Sequence, residues 1–169
     1  CGICGVVDFD RVPSVDLLVA MIGRLAHRGP DGSGYFRDAR AGFGHSRLAI
    51  IDQAGGAQPM STPDGSAWVT FNGEIFNYLE MAEELRSLGH TFRTASDTEV
   101  ILRAWEQWGE GCFERFNGQW ALALWDRRRG VAVPQGPHHP GEDEPAKSTA
   151  GGCREQGGIG AGDRHQDAD

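Results

Sequence analysis

A break in composition near residue 130 constrains this chain more than any other feature. All five tryptophans, both tyrosines and all eight phenylalanines lie before it. The stretch beyond, from "VAVPQGPHHPGEDEPAK" onward, is rich in glycine, proline and acids, and its large aliphatics are Val131, Val133 and Ile159. Such a segment cannot bury enough apolar surface to offset the entropy of ordering it. The sequence therefore predicts one folded unit over residues 1–130 and a disordered tail over 131–169.

Within the folded part, hydrophobic periodicity predicts a mixture of short strands and helices. "ICGVVDF" is apolar and β-branched and predicts a strand. After Pro13, Ser14 is placed to cap a helix whose Leu17, Leu18, Met21, Ile22 and Leu25 share one face. "HRGPDGSG" predicts a loop, and "YFRD", "GFGHS", "RLAIID" and "AWVTFNG" predict strands between turns. Asn77 with Glu80, and Ser96 with Glu99, have capping-box spacing at the head of two further helices, which Gly89 and Gly109 would stop. "QWALALWD" predicts a last strand. Strands joined by tight turns, with helices in pairs, point to antiparallel sheets covered by helices, an α+β class.

Charge and cysteine usage narrow the function. The formal net charge of -8 leaves no basic stripe for nucleic acid. Arg127, Arg128 and Arg129 fall in a predicted turn. No apolar run reaches the length of about 18 residues that a membrane span needs, and the first residues lack a signal-peptide layout, so a cytoplasmic location is expected. Cysteines 1, 4, 112 and 153 show no disulfide-framework spacing. The "CGIC" pair has no second ligand pair to complete a zinc site, and a redox pair would head a helix, whereas a strand follows here. Cys4, in phase with Val6, is read as a small buried core residue, and a zinc or redox role remains the alternative.

Cys1 carries a different chemistry. A first-position cysteine joins a thiol, with pKa about 8.5, to an α-amine, with pKa about 7.7–8, on one residue. The amine can serve as the base for the nucleophile beside it, directly or through one water. On this residue alone, a frayed end left by removal of an initiator methionine is an equal alternative.

The blocks "CGICGVV", "HRGPDGSGYF", "GHSRLAIID", "QPM", "FNGEIFNY" and "SDTEVILRAWEQWG", in this order, resemble the glutaminase domain of class II (N-terminal nucleophile) glutamine amidotransferases. More narrowly they are similar to the N-terminal half of glutamine-hydrolysing asparagine synthetases. The resemblance covers about residues 1–126. It implies an αββα sandwich, two antiparallel sheets between helical layers. It also implies that Cys1 attacks the glutamine side-chain amide to give a γ-glutamyl thioester and ammonia, after which water releases glutamate. Asn72 and the Gly73 N–H then resemble the oxyanion hole, in which loss of one donor typically costs about 100- to 1000-fold in rate. Arg47 resembles the residue that takes the α-carboxylate, with Leu48, Ala49, Ile50 and Ile51 lining the pocket beside it. Asp97, in a helix first turn, and Glu74 resemble the acceptors of the α-ammonium.

Several residues keep a bland alternative. Asn72-Gly73 alone reads as a hairpin turn, Asp97 alone as a first-turn helix residue, and Arg47 alone as a solvated strand residue. His27 is read as ordering its loop, and His45 as a satisfied, partly buried side chain.

After "ALALWD" the sequence departs from the family pattern, and the change to aromatic-free sequence is what a truncated or frameshifted reading frame would give. On that expectation the fold lacks C-terminal strands and the synthetase domain of the full-length parent. ATP and Mg²⁺ would belong to that absent domain, leaving no cofactor in this chain. Glutamine is the expected substrate, with neither nucleic acid nor membrane as partner. An inactive fragment acting as a binding module is the alternative.

Overall fold

A computed structural model of the chain describes residues 1–50, 52 and 55–138. Strands β1 (Gly2–Val7), β2 (Gly32–Arg37) and β3 (Ala41–Arg47) form one antiparallel sheet in the order β1-β3-β2. Strands β4 (Met60–Ser61), β5 (Ala67–Ile75), β6 (Gly118–Asp126) and β7 (Val131–His138) form a second, in the order β4-β5-β6-β7, also antiparallel. Helix α1 (Val15–Leu25) covers the first sheet, and α2 (Tyr78–Ser87) and α3 (Asp97–Trp108) cover the second. The result is the expected α+β fold, with two stacked sheets between helical layers.

Side-chain alternation explains the layering. On β3, Gly42 and Gly44 face α1, and a Cβ at either would strike Leu18 or Ile22, so glycine lets the helix lie close. Leu18 and Ile22 are accordingly the buried residues of α1, while Leu17, expected on the same face, is 47% exposed. Ser14 caps this helix as predicted, accepting from the Leu17 N–H at 3.4 Å. On the other face of β3, Phe43 packs against Phe36 and Trp125 between the sheets, and Trp68 of β5 stacks on Phe36 at 4.1 Å. The opposite face of β5 and β6, with Val69, Phe71, Ile75, Trp120, Leu122 and Leu124, joins Leu85, Ile101 and Trp105 of the helices in the main core.

Four expectations are corrected. "RLAIID" is not a strand: β3 ends at Arg47, and residues 48–50 run in irregular backbone with Ile50 74% exposed. The Asn77–Glu80 capping box does not form, because the Asn77 side chain turns away from α2, donating to the Arg115 carbonyl and accepting from the Asn117 N–H. His45 is fully buried rather than partly so, and half satisfied: Nδ1 bonds the Thr70 hydroxyl at 3.2 Å while Nε2 has no partner among the described residues. The tail does not begin at residue 131, since residues 131–138 form β7. Proline is tolerated there because, among the described residues, β7 is an edge strand needing ladder bonds on one side only, and Val133 packs against the main core. The remainder of the predicted tail lies outside the described residues.

Candidate active site

The seam between the sheets changes character along β5. Its sheet-facing residues run Trp68, Thr70, Asn72 and Glu74, from aromatic to polar, and the polar end opens into a cleft of about 280 Å³. Cys1, Arg47, Leu48, Ile50, Asn72, Gly73, Glu74 and Asp97 all line it. Of the other expected lining residues, Ala49 does not line it and turns its N–H to Asp31 Oδ2 at 2.9 Å, while Ile51 lies outside the described residues. Gln58, Phe71, Phe76 and Gln119 line the cleft without having been anticipated. Gln119 stands opposite Glu74 in the β5–β6 register, a pairing that nothing local in the sequence reveals.

Cys1 precedes β1 and is held at three points. Its Sγ lies 3.3 Å from the Leu48 N–H, which donates to it, and 3.4 Å from the Leu48 carbonyl, to which the thiol donates. Arg28 Nε donates to the Cys1 carbonyl at 2.9 Å. Burial, and then the Arg28 charge, push the α-amine below its usual value of 8.0, favouring the neutral base. Cys4, three residues on, faces α1 beside Ile22 and Gly44, so the two thiols of the "CGIC" pair point to opposite faces of β1. Cys4 is half-buried rather than a buried core residue as expected, and that burial raises its thiol pKa, which suits a packing role.

The predicted loop at "HRGPDGSG" serves this corner. Asp31 accepts from Ala49, the Asp31 N–H donates to the Arg47 carbonyl, and Ser46 Oγ donates to the Gly29 carbonyl. A Cβ at Gly29 would overlap the backbone of Ser46 and Arg47, so glycine is required for this approach. Those groups order the loop, whereas His27 stands exposed in the turn Ala26–Arg28.

Asn72 and Gly73 lie inside β5, opposite Ala121 and Trp120, so they are not a hairpin turn. Gly73 has φ +152, and a Cβ there would overlap the Gln119 carbonyl and the Trp120 backbone. The N–H groups of Phe71 and Ile75 point away from β6, bonding Gln58 Oε1 at 2.6 Å and Asp97 Oδ2 at 3.3 Å. By strand alternation the Gly73 N–H, between them, faces the same cleft side, next to the Asn72 side chain.

Arg47 ends β3 and donates through Nη2 to the Asp52 carbonyl at 2.8 Å. Asp97 opens α3 behind Ser96, whose Oγ accepts from the Thr98 N–H at 3.1 Å. Burial raises the Asp97 carboxyl pKa, the Ile75 N–H opposes the rise, and the Glu74 charge adds to it. His45 of β3 lies between the sheets against Thr70 of β5, and burial, with the charges of the Cys1 amine and Arg47, lowers its pKa to about 4, so it is neutral near pH 7. The cleft thus combines a thiol with an adjacent amine, two neutral donors on β5, one guanidinium and two carboxylates.

Residues 1–134 match the family described as glutamine amidotransferase domain. The chain is 42% identical over 133 residues to glutamine-hydrolyzing asparagine synthetase 1 of Bacillus subtilis (strain 168), covering 75% of this chain and 21% of that protein. It is 40% identical over 131 residues to glutamine-hydrolyzing asparagine synthetase 1 of Lotus japonicus, covering 76% of this chain and 22% of that protein. The chain therefore spans about a fifth of the length of these curated relatives. Among solved structures, the glutamine phosphoribosylpyrophosphate amidotransferase of B. subtilis, complexed with ADP and GMP, is similar with TM-score 0.62 at 21% identity, over 75% of this chain and 35% of that one. That likeness is one of fold. No helix among the described residues is long and apolar enough to cross a membrane.

Proposed function

Because the chain belongs to the glutamine amidotransferase domain family, we propose that it hydrolyses glutamine to glutamate and ammonia through Cys1, as the ammonia-supplying part of an asparagine synthetase. One observation carries this reading: Cys1, Asn72, Gly73, Arg47, Glu74 and Asp97, distant in sequence, line one cleft.

In the proposed reaction the Cys1 α-amine takes the thiol proton, directly or through one water, and Sγ attacks the side-chain amide carbon. The carbonyl oxygen becomes negative and accepts from Asn72 Nδ2 and the Gly73 N–H, two donors fixed on a strand before the charge develops. Collapse of the tetrahedral adduct breaks the C–N bond, and the proton on the amine leaves with ammonia. Water then attacks the thioester, its proton passing to the amine and on to the departing sulfur. Arg47 takes the α-carboxylate with its planar fork. Asp97 and Glu74 take the α-ammonium, whose positive charge offsets the repulsion between these two neighbours. Nucleophile, base and oxyanion donors are all amino-acid groups, so this half-reaction calls for no cofactor. ATP and Mg²⁺ belong to the amidation step of the longer enzyme.

The test is labelling with 6-diazo-5-oxo-norleucine followed by peptide mapping. One adduct on Cys1, blocked by glutamine and absent in Cys1→Ala, is the expected result. A soluble, folded sample that takes no label and releases no glutamate overturns the reading.

A further inference from the structure

Asp52 joins the two sides of the cleft that are assigned to the charged ends of the substrate. Its backbone is left-handed at φ +45, a conformation that aspartate adopts more readily than most residues. In that turn its carbonyl accepts from Arg47 Nη2 and from the Gly56 N–H, both at 2.8 Å. Its carboxylate spans a second pair: Oδ1 accepts from the Gly55 N–H at 2.7 Å, and Oδ2 from the Ala95 N–H at 3.0 Å. Ala95 immediately precedes Ser96, the cap of the helix that begins with Asp97. A single residue therefore fastens the Arg47 guanidinium to the loop leading into Asp97.

We propose that Asp52 is a positioning residue that sets the spacing between Arg47 and Asp97, and so selects substrates carrying a carboxylate and an ammonium on one carbon. The proposal rests on the glutaminase reading and deepens it. Asp52 touches no part of the substrate in this account and acts through the groups it holds. The residue type follows from the geometry. Two backbone N–H groups from different loops converge on two carboxylate oxygens, whereas asparagine offers one acceptor oxygen and alanine none. Gly55 fits the same device, because a Cβ there would overlap the Asp52 carboxylate. Misplacing one end of an amino acid by even an ångström weakens a pocket that reads both ends together.

Ammonia release is measured for the whole chain with glutamine and with glutaramate, which keeps the amide and the carboxylate but lacks the α-ammonium. Asp52→Ala is expected to raise the glutamine KM about 10-fold or more with kcat changed by less than about threefold. It should affect glutaramate less, narrowing the preference between the two, and leave the rate of Cys1 alkylation by iodoacetamide unchanged. Asp52→Asn, which retains one acceptor oxygen, should fall between wild type and Asp52→Ala, and it decides by the same criteria if the alanine variant fails to fold. An unchanged glutamine KM, an equal loss for both substrates, or a slowed alkylation of Cys1 overturns the proposal while the glutaminase reading stands. A wild type that releases no ammonia from glutamine overturns both.

Discussion

The Asp97 carboxylate accepts the Ile75 N–H at 3.3 Å, tying the first turn of α3 to the strand that carries Asn72 and Gly73. The residue is 5% exposed, and its carboxyl pKa is raised by burial, with Glu74 adding to the rise. The folded protein therefore holds this proton more tightly than the unfolded chain does. Ionisation costs stability, so stability falls as pH rises from the ordinary value of 3.8 through the raised folded value, and the loss is complete above it. Asp97→Asn keeps the Ile75 bond through Oδ1 and removes the charge. It is expected to raise Tm at pH 7 by roughly 2–5 °C while lowering glutamate release about 100-fold or more. A lower Tm, or a wild-type stability that rises with pH in this window, would contradict the argument.

Arg28 gives the pH profile a second handle. Burial and the Arg28 charge both lower the α-amine of Cys1 from 8.0, so the acid limb of kcat/KM for glutamine should lie below that value. Arg28→Gln removes one of the two causes and should move the limb to higher pH. Added salt should shift the wild-type limb part of the way in the same direction. A limb indifferent to both changes would belong to some other group.

Glycines 73 and 89 offer a matched comparison. Both have positive φ, +152 and +96, but a Cβ at Gly89 meets nothing within 4 Å, whereas one at Gly73 overlaps the Gln119 carbonyl and the Trp120 backbone. Gly89→Ala should cost about 1 kcal/mol from backbone strain alone. Gly73→Ala should cost roughly 3 kcal/mol or more and abolish turnover, because the β5–β6 ladder must shift to admit it. Urea unfolding of the two variants measures the difference, and equal costs would mean that the strand accommodates the methyl group.

Local signals were legible where they acted alone. Ser14 and Ser96 cap α1 and α3 because each is followed by an apolar face that packs at once. Asn77 has the same spacing, yet long-range partners at Arg115 and Asn117 claim its side chain. Residues 48–50 look like a strand by composition, but their backbone is held by single side chains, Leu48 by Cys1 Sγ and Ala49 by Asp31, rather than by a neighbouring strand. Most of the cleft was anticipated because a motif resemblance carries residue identities across distances that periodicity cannot span. Asp52 escapes a local reading because its carboxylate reaches Ala95, 43 residues on, and because Arg47 bonds its carbonyl, a group that every residue carries.

Glu99 shows what the fold invests behind the cleft. It is 1% exposed, two residues past Asp97, and its carboxylate accepts from the Arg93 N–H, from the Thr94 N–H and hydroxyl, and from Arg103 Nη2. Burial alone would raise its pKa, but these donors outweigh burial and hold it below 4.5. For a lowered carboxylate the contribution is present above the ordinary value and is lost as pH falls through the folded one, so this network weakens in acid. Glu99→Ala removes the acceptor for residues 93 and 94 and, among the described residues, leaves buried Arg103 with Glu106 at 2.9 Å as its carboxylate partner. The expected cost is about 3–5 kcal/mol. Glu99→Gln, which keeps one acceptor oxygen and loses the charge, should cost less and should flatten the acid-side fall in stability. Urea unfolding at pH values stepped from about 7 to well below 4.5 separates the two effects, and a Glu99→Gln protein whose stability falls in acid as steeply as wild type would assign that fall to other carboxylates.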